Sequence, residues 1–344
     1  MSHSHTFRDR RIPLAGGAGA IPALGFGALI RDPAAARQAI KTALEAGFRH
    51  LDTAELYGTE EIVGTALREA VEAGTVKRED VFVTTKLWNT NHRPERVGPA
   101  LDASLVRLQL DYLDLYLVHT PFAFPPGDDP QPRDASGEVI YDTEVTLEQT
   151  WRAMEALVDQ GKVRAIGLSD ITLERLKEIV AIARIKPAVV QVESHPYLPE
   201  WELLDYTREQ GIVMQVFAPL GHKMEPRVTE DPVISAIAER VGKTTAQVAL
   251  AWAVQRGTAV LTTSTNAGRI HQNFDLSSLP KAALQEMRDG ITTSVRFNAV
   301  VSTGVPGFVP PVAAEPAPAQ ESEPSEAERE ELRKRLNLPS YTGI

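Results

Sequence analysis

The chain has 344 residues, 43% of them hydrophobic, which is enough to fill one sizeable core. Its 36 basic and 46 acidic side chains leave a formal charge of −10, so no general basic field invites nucleic acid or an anionic membrane surface. The absence of cysteine excludes disulfides, cysteine-ligated zinc and a catalytic thiol, and redox chemistry would need a borrowed cofactor.

The opening stretch MSHSHTFRDRRIPL lacks the apolar run of about 7–15 residues that marks a secretory signal. Nothing downstream approaches the ~20 apolar residues of a membrane span, so a cytoplasmic protein is expected. His3 and His5 stand in a polar terminus and receive no role, and no metal site is assigned.

Short apolar runs then recur as candidate strands at Ala23–Leu29, His50–Ala54, Val81–Leu87, Leu113–His119, Val163–Ser169, Val189–Glu193, Ile212–Ala218 and Ala259–Ser264. Helical spacing fills the gaps. Ala36, Ile40, Ala43 and Leu44 share one face before Gly47, and Ile62, Val63, Ala66, Leu67 and Ala70 share the next. Such alternation implies parallel strands with right-handed crossovers, and a closed (β/α)8 TIM barrel accommodates it better than an open sheet. The expected organisation is a single domain over 1–344, with the barrel at about 11–300.

Two stretches break the rhythm. Pro121–Val145, after the fourth strand, carries five prolines, and a long irregular loop of this kind is usually functional or disordered. The tail from about 301 to 344 is rich in Pro, Ala and Glu before a short charged helix; a disordered extension and a flap over the barrel mouth are both open readings.

The chemistry-bearing side chains fall at strand ends. LDTAELYG delivers Asp52 at the end of the second strand and Tyr57 in the following loop. TTKLW presents Lys86 and Trp88 after the third, and LYLVHTP presents His119 after the fourth. Singly, each has an ordinary reading: Asp52 with Lys86 as a buried ion pair, His119 as a hydrogen-bonded strand end. Their convergence on the C-terminal face of a barrel is where catalytic groups gather. Carbonyl reduction needs a hydride and a proton, and tyrosine, with an ordinary pKa near ~10, is a poor acid unless a neighbouring ammonium favours its anion. A carboxylate can hold that ammonium, and a histidine can donate a hydrogen bond to the substrate oxygen. Tyr57, Lys86, Asp52 and His119 match these four roles.

These residues, in this order and context, resemble the tetrad of the aldo-keto reductases. The likeness covers about residues 11–300 and is carried by IPALGFG at 21–27, LDTAELYG at 51–58, TKLW at 85–88, LDLYLVHTP at 113–121, GKVRAIGLSD at 161–170, QVESHPYL at 191–198, APLG at 218–221 and GRIHQNFD at 268–275. The resemblance implies reversible reduction of aldehydes or ketones by a barrel that binds an extended nicotinamide cofactor. In agreement, no G-x-G-x-x-G follows a strand. It places Ser169, Asp170 and Gln191, with Asp52, at the nicotinamide end, Phe217 as the stacking ring, and Gly27, Pro219, Leu220 and Gly221 along the cofactor. Two of these depart from the usual pattern. Asp170 stands for an amide that donates and accepts, whereas an ionised carboxylate only accepts; Phe217 stands for tyrosine and keeps the ring.

At the adenosine end, Thr263 occupies the usual lysine position and Gln272 the usual glutamate position, while Arg269 and Asn273 match. Arg269, with the hydroxyls of Thr263, Ser264 and Thr265, is suited to a 2′-phosphate, which favours NADPH and leaves NADH or dual use open. Leu29, Trp88 and His119, with the Pro121–Val145 loop and the tail, are the expected substrate contacts, and the long loop suggests room for a bulky carbonyl compound. The resemblance further implies a monomer acting on a small molecule. A contrasting reading is a cofactor-sensing regulatory subunit that keeps the barrel and acts through a partner.

Overall fold

The computed structural model describes residues 6–298. His3, His5 and the 301–344 tail lie outside them. The chain opens with an antiparallel hairpin, β1 (Arg11–Pro13) and β2 (Ala20–Pro22), turned through Gly16 and Gly17 at positive φ. This hairpin is absent from the sequence expectations. Two three-residue strands ending in proline give too little alternation to register.

Eight parallel strands follow: β3 (Leu24–Gly27), β4 (His50–Asp52), β5 (Phe82–Leu87), β6 (Leu113–Val118), β7 (Val163–Ser169), β8 (Val189–Glu193), β9 (Val213–Phe217) and β10 (Ala259–Thr262). They close in chain order, with β10 hydrogen-bonded to both β9 and β3. Each expected run contains one of these strands, trimmed by up to two residues at either end, and the (β/α)8 barrel is the observed architecture.

The connecting helices wrap the outside. α1 (Pro33–Ala46) starts where Asp32 Oδ1 accepts from the Ala35 amide at 2.6 Å, with proline at the first helical position, and stops at Gly47, whose φ of 115° suits only glycine. A Cβ at Gly47 would also lie 2.5 Å from the Phe274 ring. α2 (Glu60–Glu72) buries Val63, Ala66, Leu67 and Ala70. α3 (Pro94–Leu108), α4 (Leu147–Asp159), α5 (Leu173–Ile182) and α6 (Trp201–Gln210) continue the alternation. Two helices, α7 (Pro232–Val241) and α8 (Thr245–Gln255), share the β9–β10 crossover, and α9 (Ala267–Phe274) and α10 (Lys281–Gly290) follow the last strand.

The hairpin plugs the lower end of the barrel: Leu14 and Ile21 join Phe82, Leu115, Leu117, Ala165, Val189, Val213 and Ala259 in one apolar cluster. At the other end, Pro121–Val145 is an ordered loop rather than a disordered one. Phe124 N donates to Asn89 O at 3.0 Å, Asp142 N to Ala123 O at 2.9 Å, and Arg93 Nε to Asp142 Oδ2 at 2.7 Å. Phe122 and Phe124 fold inward and pack with Trp88 in a small aromatic cluster. Among the described residues no helix is long and apolar enough to cross a membrane.

Candidate active site

Asp52 and Lys86 arrive from β4 and β5, and both are buried. Lys86 Nζ donates to Asp52 Oδ1 at 2.6 Å, to the Thr53 carbonyl at 3.0 Å and to Tyr57 Oη at 3.3 Å. The ammonium thus uses its three protons in one direction each, and it also lies 4.7 Å from the Tyr57 ring centroid. Asp52 Oδ2 accepts from Gln191 Nε2 at 2.8 Å, reaching across the barrel to β8. Burial pushes the Asp52 carboxyl above its ordinary value, against the opposing pull of Lys86 and Gln191.

His119 follows β6 and faces the same cluster, with its ring 5.4 Å from Tyr57 and 5.2 Å from Trp88, both edge-on. Burial first, then Lys86 and His92, hold its pKa well below 6.5, so it is neutral at physiological pH. Its Nδ1 is buried with no partner among the described residues. The four residues expected to converge therefore do so.

Trp88 is more enclosed than a rim residue. It is 3% exposed, its Nε1 donates to Pro130 O at 2.8 Å, and its ring lies between His119 and Phe124. Leu29 is 45% exposed at the mouth beyond β3 and supplies bare apolar surface there.

Around the rim, Ser169 ends β7 in register with Gln191, and the Asp170 amide donates to Gln191 O at 2.9 Å. Gln191 Nε2 also donates to Gln215 Oε1 at 2.7 Å, so both of its amide protons are used and its Oε1 remains an acceptor. Phe217 ends β9 half-buried, followed by Ala218 at φ 50°, Pro219, Leu220 and Gly221. A Cβ at Gly221 would lie 2.7 Å from the Phe297 ring, which seats the chain after α10 against this turn. Gly27 and Thr263 touch directly: Thr263 Oγ1 donates to Gly27 O at 3.0 Å, and a Cβ at Gly27 would meet that hydroxyl at 2.8 Å. Bare backbone is required there.

Ser264, Thr265 and Arg269 stand together where β10 leads into α9, with Thr265 and Arg269 exposed. Asn266 caps the helix by accepting from Arg269 N at 2.9 Å, while the Arg269 guanidinium makes no ion pair or hydrogen bond among the described residues. Gln272 is exposed on α9, with its carbonyl accepting from Gln247, and Asn273 faces inward. This donor set fits a dinucleotide: an amide oxygen and buried polar groups at one end, a half-open ring beside them, and a free cation with hydroxyls at the other.

Sequence reasoning overlooked two supporting side chains. Glu55, inside the LDTAELYG motif, accepts from Trp88 N at 3.1 Å and from Asn91 Nδ2 at 2.8 Å, fixing the β5 loop beside Tyr57. Gln215, a polar residue in the otherwise apolar β9 run, holds Gln191; that interruption was the available signal.

Comparison with known proteins agrees with this geometry. The family model for the aldo/keto reductase family matches residues 23–289. Aldo-keto reductase family 1 member A1 of Mus musculus is 44% identical over 276 residues, covering 77% of this chain and 85% of the mouse protein. The Homo sapiens protein of the same name is 43% identical over 276 residues, with the same coverage. The solved structure of the aldose reductase from Schistosoma japonicum superposes with a TM-score of 0.80 at 37% identity, covering 85% of this chain and 95% of that one. A chain that closes this barrel, gathers these four side chains at its mouth and matches the family over most of its length belongs to the aldo/keto reductase family, and is a nicotinamide-dependent oxidoreductase of carbonyl groups.

Proposed function

We propose that the protein interconverts aldehydes or ketones and alcohols using NADPH, with Tyr57 as the proton donor. The observation that carries this reading is the single ammonium of Lys86 spanning Asp52 Oδ1 and Tyr57 Oη opposite a neutral His119. When bound, the nicotinamide supplies the hydride. The chain's own residues manage the oxygen. Tyr57 transfers its phenolic proton to the oxygen of the reduced carbonyl, which completes the alcohol, and Lys86 stabilises the phenolate that remains. Asp52 keeps the ammonium in place, and Gln191 keeps Asp52 in place. Reoxidation of the alcohol runs the same proton path backwards.

His119 positions the substrate. A neutral imidazole carries one N–H, and an unpartnered buried acceptor costs less than an unpartnered buried donor when a carbonyl stands ready at the other nitrogen. That argues for the proton on Nε2, directed to the substrate oxygen. Leu29 and the edge of Trp88 give the pocket its apolar walls, and the Pro121–Val145 loop packs beside them, in keeping with a bulky apolar carbonyl compound.

For the cofactor, Ser169, Asp170 and Gln191 would hold the carboxamide, Phe217 would stack on the ring, and Gly27 with Pro219, Leu220 and Gly221 would border the middle. Thr263, Ser264, Thr265, Arg269, Gln272 and Asn273 would take the adenosine end. Arg269, whose guanidinium has no partner among the described residues, supports NADPH over NADH, because such a guanidinium gains most from a phosphate dianion. One chain supplies every group in this scheme, which supports assigning a monomer.

The test is the loss of NADPH and, separately, NADH absorbance against a panel of carbonyl compounds, with wild type and Tyr57→Phe. The reading expects turnover with NADPH and a fall of about 100- to 10,000-fold in the variant while cofactor binding survives. Undiminished turnover in Tyr57→Phe would overturn the assigned acid.

A further inference from the structure

The departure at Asp170 has a physical consequence in this fold. Asp170 follows β7 with φ 51° and is only 6% exposed, yet no hydrogen bond or ion pair reaches its carboxylate among the described residues. An isolated buried carboxylate is expensive to keep ionised and takes a proton instead. The charged groups around it do little to prevent that. Glu193 on β8 repels it, and Glu174 on α5 with Glu200 and Glu202 at the start of α6 line the same cleft. The two cations within reach are committed elsewhere: Arg296 is paired with Glu200, and Lys86 with Asp52. Glu193 itself is satisfied, accepting from Phe297 N and Asn298 N at 2.7 Å each and bonded to His195 at 3.0 Å. Burial, with the repulsion of Glu193 added, pushes the Asp170 pKa up to about 7.

Resting on the cofactor reading above, we infer that Asp170 acts as a neutral carboxylic acid that donates a hydrogen bond to the carboxamide oxygen of the nicotinamide, so that cofactor affinity depends on a proton at this residue. The division of labour follows from Gln191. Its amide protons are both spent on Asp52 and Gln215, so its free Oε1 is the acceptor for the carboxamide NH2. The carboxamide oxygen then needs donors, and Ser169 with protonated Asp170 supplies them, restoring what an amide side chain would give. An ionised Asp170 would instead set a negative charge against that oxygen. The sign is fixed: the competent form is present below about pH 7 and disappears above it.

The experiment is NADPH and NADH binding by quenching of protein fluorescence between pH 7 and 9, where the 2′-phosphate (pKa about 6) is mostly ionised throughout. It is paired with calorimetry in two buffers of different ionisation enthalpy, using wild type, Asp170→Asn and Asp170→Ala. Wild type should weaken toward about tenfold per pH unit above 7 and take up a proton on binding, with both cofactors. Asp170→Asn should bind tightly with an affinity flat to within about twofold, and Asp170→Ala weakly and equally flat. Flat wild-type binding without proton uptake, or a slope that persists in either variant, overturns the inference and leaves the cofactor reading intact. Failure of wild type to bind either cofactor at any pH overturns the reading itself and the inference with it.

Discussion

The lower and upper ends of the barrel are made from the same eight strands and differ completely in what those strands carry. Below, the β1–β2 hairpin closes the floor with Leu14 and Ile21, which pack into a cluster of aliphatic and aromatic side chains. Above, each strand from β4 to β6 gives way to a polar side chain, and a fully buried ion pair is held by an amide from across the barrel. The first arrangement is stabilising wherever it is placed, because apolar area leaves water. The second is costly to desolvate, and its groups are oriented for something other than stability. One end holds the fold and the other is kept ready for chemistry.

The sharpest way to break this contrast is to treat the upper ion pair as if it were core. Lys86→Met leaves Asp52 buried without its cation, and should cost about 3–5 kcal/mol in denaturant unfolding while lowering turnover at least about 100-fold. Adding Asp52→Asn removes the second charge. The double variant should regain most of the lost stability and none of the activity, since a buried pair replaced by neutral groups is often no less stable. Recovery of activity in the double variant would mean that the charges serve the fold and not the reaction.

The converse variant lies below. Leu115 is fully buried in the lower cluster, and Leu115→Ala should cost about 2–5 kcal/mol through lost burial and the cavity left behind. Turnover per folded molecule and the cofactor dissociation constant should stay within about twofold of wild type, because Leu115 belongs to a floor cluster that contains none of the site residues. A large change in either, measured well below the unfolding temperature, would show that the two ends are mechanically coupled.

The contrast between the ends also explains what was legible in the sequence. All eight barrel strands announce themselves as short apolar runs, because residues buried on both faces read as continuous hydrophobic stretches. Asp52, Lys86 and His119 stand out for the opposite reason, as polar residues closing such runs. The hairpin floor stayed hidden in strands of three residues, and the paired α7 and α8 hid inside a single crossover. Asp170 was visible as a departure from pattern, but its lack of a carboxylate partner among the described residues was not. That depends on Glu193, Arg296 and Glu200 being satisfied among themselves and with the backbone, a three-dimensional fact with no local trace.

Within the upper end, a smaller difference separates the enclosed strand-end cluster from the exposed start of α9. Lys86 and Asp52 in the cluster are paired with each other, whereas the Arg269 guanidinium has no partner among the described residues and stands near Thr263, Ser264 and Thr265, where a cationic lysine is missing. If that arginine reads the 2′-phosphate, Arg269→Ala should weaken NADPH binding about tenfold, the loss of one charge-assisted contact of about 1.4 kcal/mol, and leave NADH unchanged to within about twofold. The loss should shrink as salt is raised, because the site is open to solvent. Equal weakening of both cofactors would instead assign Arg269 to the shape of the α9 turn, and no change in either would move discrimination to the hydroxyls that precede it.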